Sequence, residues 1–520
     1  MKKQVATAVL LTLVALGFRL FLIFRLPYND DDDGRFYSLI ARNLLDHHVY
    51  SGQEEEPYLP TYVRMPGYPL VLAGLYSVFG RDNQRAVRII QAAVDTVTCW
   101  LIALLAFVWA PREWQLAKRR RAMLIALTLA ATCPFTAVYV TTVLTEVWAT
   151  ALVVAVALVS TLALMTERRS KAAWLWLAAG LLGGAATMFR PDCSLFVGGA
   201  GLVLIAAGIS RGFHKSSSGR GERQPGSSVV RTLVSCVALS VGYASVLAPW
   251  TIRNARVFGV FQPVVPHYAN MPDEFAPLGY IAWLRTWVDD ERYVSPIEDA
   301  LDLYPIRIDT IPYYAFDSPE ERERVTALLD RYNNPSKPVP DSRDEEDSGD
   351  PGPSVKMTPE IDAEFGQIAR ERIARHPLRY TVLLPLKRAA SLWFDTHSQY
   401  YPFQGELFPL SDLDTDAHQQ YWLSLFAFLT WFYTIVVVAG AWIMWKAESS
   451  RRWVALLVLL IMPRLTFLSF QEHPEARYTV EFFALVLTAG GVALAGLSSD
   501  RIRRVLRKSE PERLPSPGDV

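Results

Sequence analysis

Cysteine and histidine are scarce in this sequence, which has 4 cysteines and 8 histidines among 520 residues. The cysteines fall in or beside apolar runs, with no close pair and no histidine nearby at metal-ligand spacing. They are Cys99, Cys133, Cys193 and Cys236. A disulfide framework or a zinc site is therefore not expected. The chain also lacks a repeat with a period of about 20 to 50 residues, and the two halves of its apolar region do not mirror each other in hydropathy, which argues against an inverted-repeat transporter without excluding it.

Charge of one sign is not in excess either, because 52 basic residues balance 52 acidic ones. The chain is nevertheless 51% hydrophobic and 20% charged, a combination typical of apolar spans that alternate with polar loops. About 20 apolar residues suffice to cross a hydrocarbon layer of roughly 30 Å. We predict an all-α polytopic membrane protein with about ten spans. They lie near 4–24, 86–110, 122–140, 143–165, 173–190, 194–210, 229–249, 419–445, 453–470 and 478–497.

Basic residues cluster in alternate loops, which predicts that these loops face the cytoplasm. They include the 112–121 and 168–171 loops, the Ser/Gly-rich linker 211–231 and the tail from 501. The opposite side begins with residues 25–68, where eight acidic residues face four basic ones. Both termini are expected in the cytoplasm of a cell-membrane (inner or plasma membrane) protein. The first run, which contains Arg19, is interpreted as a retained span rather than a cleaved signal peptide.

The predicted organisation has four parts: a catalytic module 1–249 with a first outer loop 25–85, an extracytoplasmic segment 250–418, spans 419–497 and a cytoplasmic tail 498–520. The apolar segment 69–79 is only about half a span, so we expect it to lie at the interface or to re-enter on the outer side rather than to cross. The stretch 335–354 is rich in Pro, Asp, Ser and Glu and is interpreted as a mobile loop.

An acidic run opens the first outer loop at residues 30–33. Asp33 has the chemistry of a helix N-cap, and Tyr37 follows it at the i+4 position. The alternative, non-functional interpretation of this acidic run is a solvated turn. A calcium loop is not predicted, because Ile40 occupies the position that needs a bidentate glutamate.

Two arginines flank proline motifs on the same predicted side. Arg64 precedes Met-Pro-Gly-Tyr-Pro, where the prolines favour an extended entry to the interfacial helix. Arg253 lies within Pro249-Trp-Thr-Ile-Arg-Asn. Each can bind a lipid phosphate or simply reach for the headgroup layer.

Together these motifs resemble the polyprenyl-phosphate-sugar-dependent glycosyltransferases of the GT-C fold. The closest branch resembles the protein O-mannosyltransferases and lipid A aminoarabinose transferases. Further motifs appear in the same order as in that branch: Arg88-Ile-Ile-Gln, Leu144-Thr-Glu, Phe189-Arg-Pro-Asp, His376-Pro-Leu-Arg-Tyr and Glu475-Ala-Arg-Tyr. The stretch 260–370 has no counterpart that we can align.

The resemblance implies an inverting transfer of a sugar from a polyprenyl-phosphate donor to an acceptor on the outer face. It implies Asp33 as catalytic base, with Asp32 as the alternative, because Gly34 stands where relatives often carry a glutamate. Arg64 and Arg253 would bind the donor phosphate. Tyr37, Glu146, Arg477 and Tyr478 would support the site.

No cofactor is required by this interpretation, and a divalent cation is left open. The expected partners are the lipid-linked sugar donor, membrane lipids and an unknown acceptor, with no nucleic acid. A transporter or lipid flippase is the main alternative, with Arg19, Asp95 and Arg464 as intramembrane charges that usually find a partner or line a cavity. A non-catalytic envelope scaffold ranks third.

Overall fold

The computed structural model describes residues 2–27, 32–217, 226–266, 268, 270–271, 274–334, 355–395, 397–403 and 417–497. The remainder, which includes Asp30, Asp31, the 335–354 loop, the middle of the basic linker and the tail, lies outside the described residues. Within the described ranges the regular structure is entirely helical. The predicted helical membrane class is confirmed.

The chain divides into two compact units. The first comprises residues 1–265, 398–461 and 480–520, and the second comprises 266–397 and 462–479. In chain order, the helices before residue 265 are α1 (Lys2–Arg25), α2 (Asp32–Asp46), α3 (Gly67–Phe79), α4 (Gln84–Trp109), α5 (Leu116–Thr132), α6 (Pro134–Ala137), α7 (Glu146–Met165), α8 (Arg169–Phe189), α9 (Ser194–Ser217) and α10 (Gly226–Phe258).

The helices that follow are shorter until the chain returns to long apolar ones. They are α11 (Leu278–Leu284), α12 (Val294–Ile297), α13 (Pro319–Asn333), α14 (Pro359–Arg375), α15 (Leu384–Phe394), α16 (Ala417–Lys446), α17 (Arg451–Ser469) and α18 (Val480–Leu497).

Nine helices of the described chain are long and apolar enough to cross a membrane, and a tenth span results if one bent pair is counted as a single crossing. That pair joins Leu116–Thr132 to Pro134–Thr141 at an angle of 53°. Cys133 between them is extended, because the residue before a proline avoids the helical region. The span predicted near 122–140 therefore contains a bend that its hydropathy did not indicate. The chain is a multi-pass membrane protein.

Helix α10 also differs from the prediction, because it continues beyond residue 249 to Phe258 with Pro249 inside it. This extension carries Arg253 and Asn254 on helical backbone. The part of α10 before this extension packs against helix α8 through glycines: a Cβ added at Gly180 would lie 2.2 Å from the carbonyl oxygen of Leu239. Such close approach of two backbones is typical of membrane helix pairs with small residues at the interface.

Helices α2 and α3 form a short hairpin in the first unit. Helix α3 has 13 residues, too few to cross, in agreement with the half-span predicted from its length. A small buried core, formed by Ala41, Tyr68, Leu72, Ala73, Tyr76, Val87 and Val143, joins the hairpin to α4 and the segment before α7. Tyr37, Trp148 and Phe189 pack against this core. It therefore fixes the start of α2 near the start of α7 and the end of α8.

The second unit has its own apolar core around the aromatic side chains Tyr280, Trp283, Trp287, Tyr332 and Phe365. A buried ion-pair network accompanies it. Arg372 pairs with Glu321 and, at 3.3 Å, with Asp317. Arg375 also reaches both carboxylates, at 2.9 and 3.3 Å. Paired charges and a continuous core make this segment a folded unit.

Candidate active site

Helix α2 presents the acidic residues at its first turn. The helix begins at Asp32, two residues earlier than an N-cap at Asp33 predicts, so Asp33 lies within the first turn rather than at the cap. Carboxylates are stabilised there by the positive end of the helix dipole. The Asp32 side chain is 94% exposed and pairs with Arg35 at 2.5 Å. Asp33 is 28% exposed and faces the protein, which favours it as the functional acid of the two.

Asp33 pairs with Arg64, the arginine that precedes the Pro-Gly-Tyr-Pro motif. Arg64 Nη2 donates to Asp33 Oδ1 at 3.0 Å, and its guanidinium lies over the ring of Phe36. The Arg64 side chain is 30% exposed. Both partners therefore retain polar atoms that a ligand can reach.

Tyr50 links this pair to Arg253. The Tyr50 hydroxyl donates to the carbonyl oxygen of Arg64 at 3.0 Å, while its ring lies beneath the Arg253 guanidinium. Burial raises the pKa of Tyr50 above its ordinary value, so the hydroxyl keeps its proton. Sequence reasoning missed this residue, which carries no motif of its own.

Arg253 is half-buried among aromatic rings. Its guanidinium lies 4.9 Å from the Trp250 ring centroid and 5.1 Å from that of Phe258. Nη1 donates to the carbonyl oxygen of Thr61 at 2.6 Å and to Asn254 Oδ1 at 3.0 Å. Among the described residues no carboxylate forms an ion pair with it. Its positive charge is therefore available to an anion.

A second polar cluster surrounds Arg190. Its Nη1 donates to Glu146 Oε1 at 2.8 Å, and its Nε lies 3.1 Å from Glu481 Oε1 and 3.5 Å from Asp192 Oδ1. Glu146 opens α7 and Glu481 is the second residue of α18, so each carboxylate also lies at a helix N-terminus. The cluster ties three helix ends of the first unit together.

Tyr37 lies between the two clusters. Its ring meets that of Tyr68 edge-on at 5.4 Å, and the Tyr68 hydroxyl donates to Gln91 Oε1 at 2.8 Å. Burial raises the pKa of Tyr37, the Asp33 and Glu146 carboxylates raise it further, and Arg64 and Arg190 oppose them. The Tyr37 hydroxyl therefore stays protonated.

Two glycines allow this convergence. A Cβ at Gly34 would lie 3.1 Å from the carbonyl oxygen of Val143, three residues before Glu146. A Cβ at Gly67 would lie 2.5 Å from the carbonyl oxygen of Met188, two residues before Arg190. The contact at Gly67 is closer than a side chain permits, and the contact at Gly34 is tighter than most Cβ atoms make. The two backbones therefore approach closely beside the functional side chains.

Arg477 and Tyr478, the remaining predicted site residues, belong to the second unit. Arg477 forms an ion pair with Glu475 and lies over the Tyr478 ring at 5.2 Å. His473 contacts Glu475 at 2.9 Å and Glu298 at 3.5 Å. Burial lowers the pKa of His473, but Tyr478 and these two carboxylates raise it well above its ordinary value.

The structure thus links Asp33, Arg64 and Arg253 through direct contacts and Tyr50 within the first unit. Tyr37 lies close enough to Asp33, Arg64 and Glu146 to feel their charges. The sequence contained Phe189-Arg-Pro-Asp as a motif but assigned no role to Arg190. Glu481 was not singled out. The only feature of the sequence that could have indicated Glu481 is its place as an ionisable residue at the start of an apolar span.

No family model matches the chain, and no curated protein matches it. Among solved structures, the archaeal oligosaccharyltransferase AglB from Archaeoglobus fulgidus, in complex with an inhibitory peptide and a dolichol-phosphate, aligns with a TM-score of 0.46 and 12% identity. That alignment covers 98% of this chain and 52% of AglB, so the chain spans about half the length of that protein. ArnT from Cupriavidus metallidurans bound to undecaprenyl phosphate aligns with a TM-score of 0.37 and 13% identity, covering 97% of this chain and 81% of ArnT.

The chain is similar to membrane glycosyltransferases. Both solved structures are of the GT-C class that the motifs resemble. Both TM-scores are below 0.5, and the roles of individual residues are therefore argued from this chain alone.

Proposed function

We propose that this chain is an inverting glycosyltransferase that moves a sugar from a polyprenyl-phosphate donor to an acceptor on the extracytoplasmic face. The observation that carries the proposal is a partly exposed Asp33 held by Arg64, with Arg253 linked to them through Tyr50. One carboxylate and two cations are what an acceptor hydroxyl and a departing phosphate require.

The Asp33 carboxylate accepts the proton of the acceptor hydroxyl as that oxygen attacks the anomeric carbon. The bond from the anomeric carbon to the phosphate oxygen breaks, and its electron pair leaves with the polyprenyl phosphate. Displacement in one step inverts the anomeric centre. The proton ends on Asp33 and is lost to water.

Arg64 and Arg253 stabilise the charge that develops on the departing phosphate. They are held before the reaction by Asp33, by the carbonyl oxygen of Thr61 and by aromatic rings, so little reorganisation is needed. Loss of one such contact typically costs about 3 kcal/mol of transition-state stabilisation.

Two observations bear on the sidedness and on the transporter alternative. The basic loops meet away from the site: Arg112 N donates to Ser449 Oγ at 2.9 Å, and Arg231 reaches the carbonyl oxygen of Glu167 at 3.0 Å. By the distribution of basic residues, that end faces the cytoplasm and the site faces outward, in the cell membrane.

The transporter alternative requires intramembrane charges that line a translocation path. Asp95, one of the residues considered for such a path, is already paired with Arg19 at 2.7 Å, which does not favour this alternative.

The proposal is tested by transfer of label from radiolabelled polyprenyl-phosphate sugars in vesicles that contain the full chain. Arg253→Gln is expected to lower transfer about 100-fold. Arg256→Gln is the matched control, because Arg256 is exposed on the same helix three residues further on. Full transfer by the Arg253→Gln variant would contradict the proposed phosphate contact, and absence of transfer by the wild type with every donor would contradict the function.

A further inference from the structure

The second unit exposes an apolar helical face. Residues 379–383 form a turn of π-helix that continues directly into α15. Four large apolar side chains of this segment and of the residue before it share one side at helical spacing. They are Leu378, Val382, Leu383 and Leu386, with exposed fractions of 71%, 45%, 57% and 63%. An exposed apolar patch on a folded unit marks a surface that binds a membrane or another protein.

The opposite face of the segment fixes its orientation. Leu384, Arg388 and Leu392 are buried. Arg388 Nε donates to the carbonyl oxygen of Val288 at 2.6 Å, and its Nη2 donates to that of Arg285 at 2.9 Å. Rotation of the helix would leave a buried guanidinium without these bonds, which is costly. The exposed face is therefore a fixed property of the fold.

The same segment lies beside the ends of two membrane-spanning helices. The Arg285 side chain, whose carbonyl oxygen binds Arg388, pairs with Glu472 at 2.5 Å and donates to Gln471 Oε1 at 3.0 Å. Both residues follow shortly after α17 ends. Helix α15 also packs against residues 476–479, which lead directly into α18.

The end of α17 lies close to the edge of the acyl layer. Its 19 residues extend for about 28 Å, against roughly 30 Å for that layer. Glu472 follows Ser469 after three residues, which reach at most about 10 Å. Amphipathic helices that bind membranes lie at this depth, with the apolar face about 5–10 Å into the boundary.

The charges of the segment suit a lipid surface. No acidic residue occurs between Glu371 and Asp395, whereas five basic residues do. Lys387, at the border of the apolar face, is 68% exposed and contacts Asp289 at 3.4 Å. Long basic side chains beside an apolar helical face reach for anionic headgroups.

We infer that the face formed by Leu378, Val382, Leu383 and Leu386 inserts into the leaflet where α17 ends and α18 begins, and so binds the second unit to lipid. The occupant is lipid because the segment is tied to the ends of two spans, whose own exposed apolar side chains face lipid. Val458 of α17 is 44% exposed, as Val382 is 45%. This inference does not depend on the proposed transfer reaction.

Collisions of a spin label with oxygen and with a water-soluble nickel chelate test the inference. The full chain carries Cys236→Ala, which removes the one cysteine that is not buried. The label is placed on Leu378→Cys, Val382→Cys or Leu386→Cys, in nanodiscs of phosphatidylethanolamine and phosphatidylglycerol. Oxygen concentrates in lipid and the nickel chelate in water. The oxygen-to-nickel collision ratio is expected to be several-fold higher on this face than on Glu323→Cys, an exposed site of α13.

A second reference comes from the middle of α17. Val458→Cys reports a side chain that faces the acyl chains, and the ratio on the apolar face should fall between its value and that of Glu323→Cys. Melting temperatures check that each labelled variant is folded. Because all the substituted positions of the face are exposed, little loss of stability is expected.

A ratio equal to that of Glu323→Cys at all three positions would place the face in water and overturn the inference. Low collision rates with both reagents would show that protein covers the face, either a second copy in the disc or another segment of this chain, and would overturn it as well. Either result would leave the proposed function standing, because transfer of label is measured separately.

Discussion

Two arginine–carboxylate pairs of the first unit have similar N···O distances but differ in their exposure to solvent. Arg19 and Asp95 approach to 2.7 Å, and Arg64 and Asp33 to 3.0 Å. The first pair is 1% and 5% exposed, and the second is 30% and 28% exposed. Distance alone does not distinguish them, whereas access to solvent does.

The unused hydrogen-bonding capacity differs as well. Arg19 directs its five N–H groups to Asp95, Cys99 Sγ and three backbone carbonyl oxygens, those of Ala15, Ala130 and Ala131. Nothing remains for a ligand, so this pair holds α1 against α4 and the end of α5. Arg64 retains accessible donors beside Asp33, and that surplus is what a reacting pair needs.

The largest effect is expected from Asp33→Asn. The amide cannot accept the proton of the acceptor, so transfer should fall by about 100-fold or more while the melting temperature changes little. Asp32→Asn is the adjacent control, since Asp32 is 94% exposed, and should retain transfer. The reverse result, loss in Asp32→Asn and retention in Asp33→Asn, would assign the base to Asp32.

The opposite pattern is expected from the buried pair. Arg19→Leu leaves Asp95 without its partner in an apolar setting and should destabilise the protein by about 3–5 kcal/mol. The double variant Arg19→Leu, Asp95→Leu should recover much of this loss, because both charges are removed. Unfolding in detergent measures both changes. If the double variant is as unstable as Arg19→Leu, the unpaired charge of Asp95 is not the cause of the lost stability.

The smallest effect concerns the positioning of Asp33. Replacing a helical glycine by alanine typically stabilises by about 0.5–1 kcal/mol, and Gly74→Ala should show this gain because nothing lies within 4 Å of the added Cβ. Gly34→Ala meets the carbonyl oxygen of Val143 and should lack the gain. Its transfer rate should fall several-fold with unchanged donor affinity. Equal stability gains and full transfer in both variants would contradict a positional role for Gly34.

The sequence predicted the spans well because length and hydropathy depend on local composition alone. Arg64, Arg253 and Asp33 were proposed as candidate site residues because each lies in a short motif. Arg190 also lies in a motif but was given no role, since its partners Glu146 and Glu481 lie 44 and 291 positions away along the chain. Ion pairs over such separations are set by how helix ends meet, which no local pattern encodes.

The bend at Cys133 and the extension of α10 show the same limit. The length of the apolar run and the charges that follow it placed the end of α10 near Pro249. Tertiary contacts override that local signal: Asn254 is fully buried and donates to the carbonyl oxygen of Gln262 at 2.8 Å. Likewise, the core of the second unit consists largely of aromatic residues scattered between 280 and 365. No periodic pattern in the sequence predicts that these residues pack together.

The length of α10 bears on how a membrane-bound substrate could be handled. Its 33 residues extend for roughly 50 Å, against about 30 Å for the acyl layer. Arg253 lies near its last turn, and the excess length of the helix would place that turn in the headgroup layer. A donor phosphate held there would leave its long hydrocarbon tail among the acyl chains, so the reaction would avoid the cost of extracting that tail into water, about 0.8 kcal/mol for each methylene.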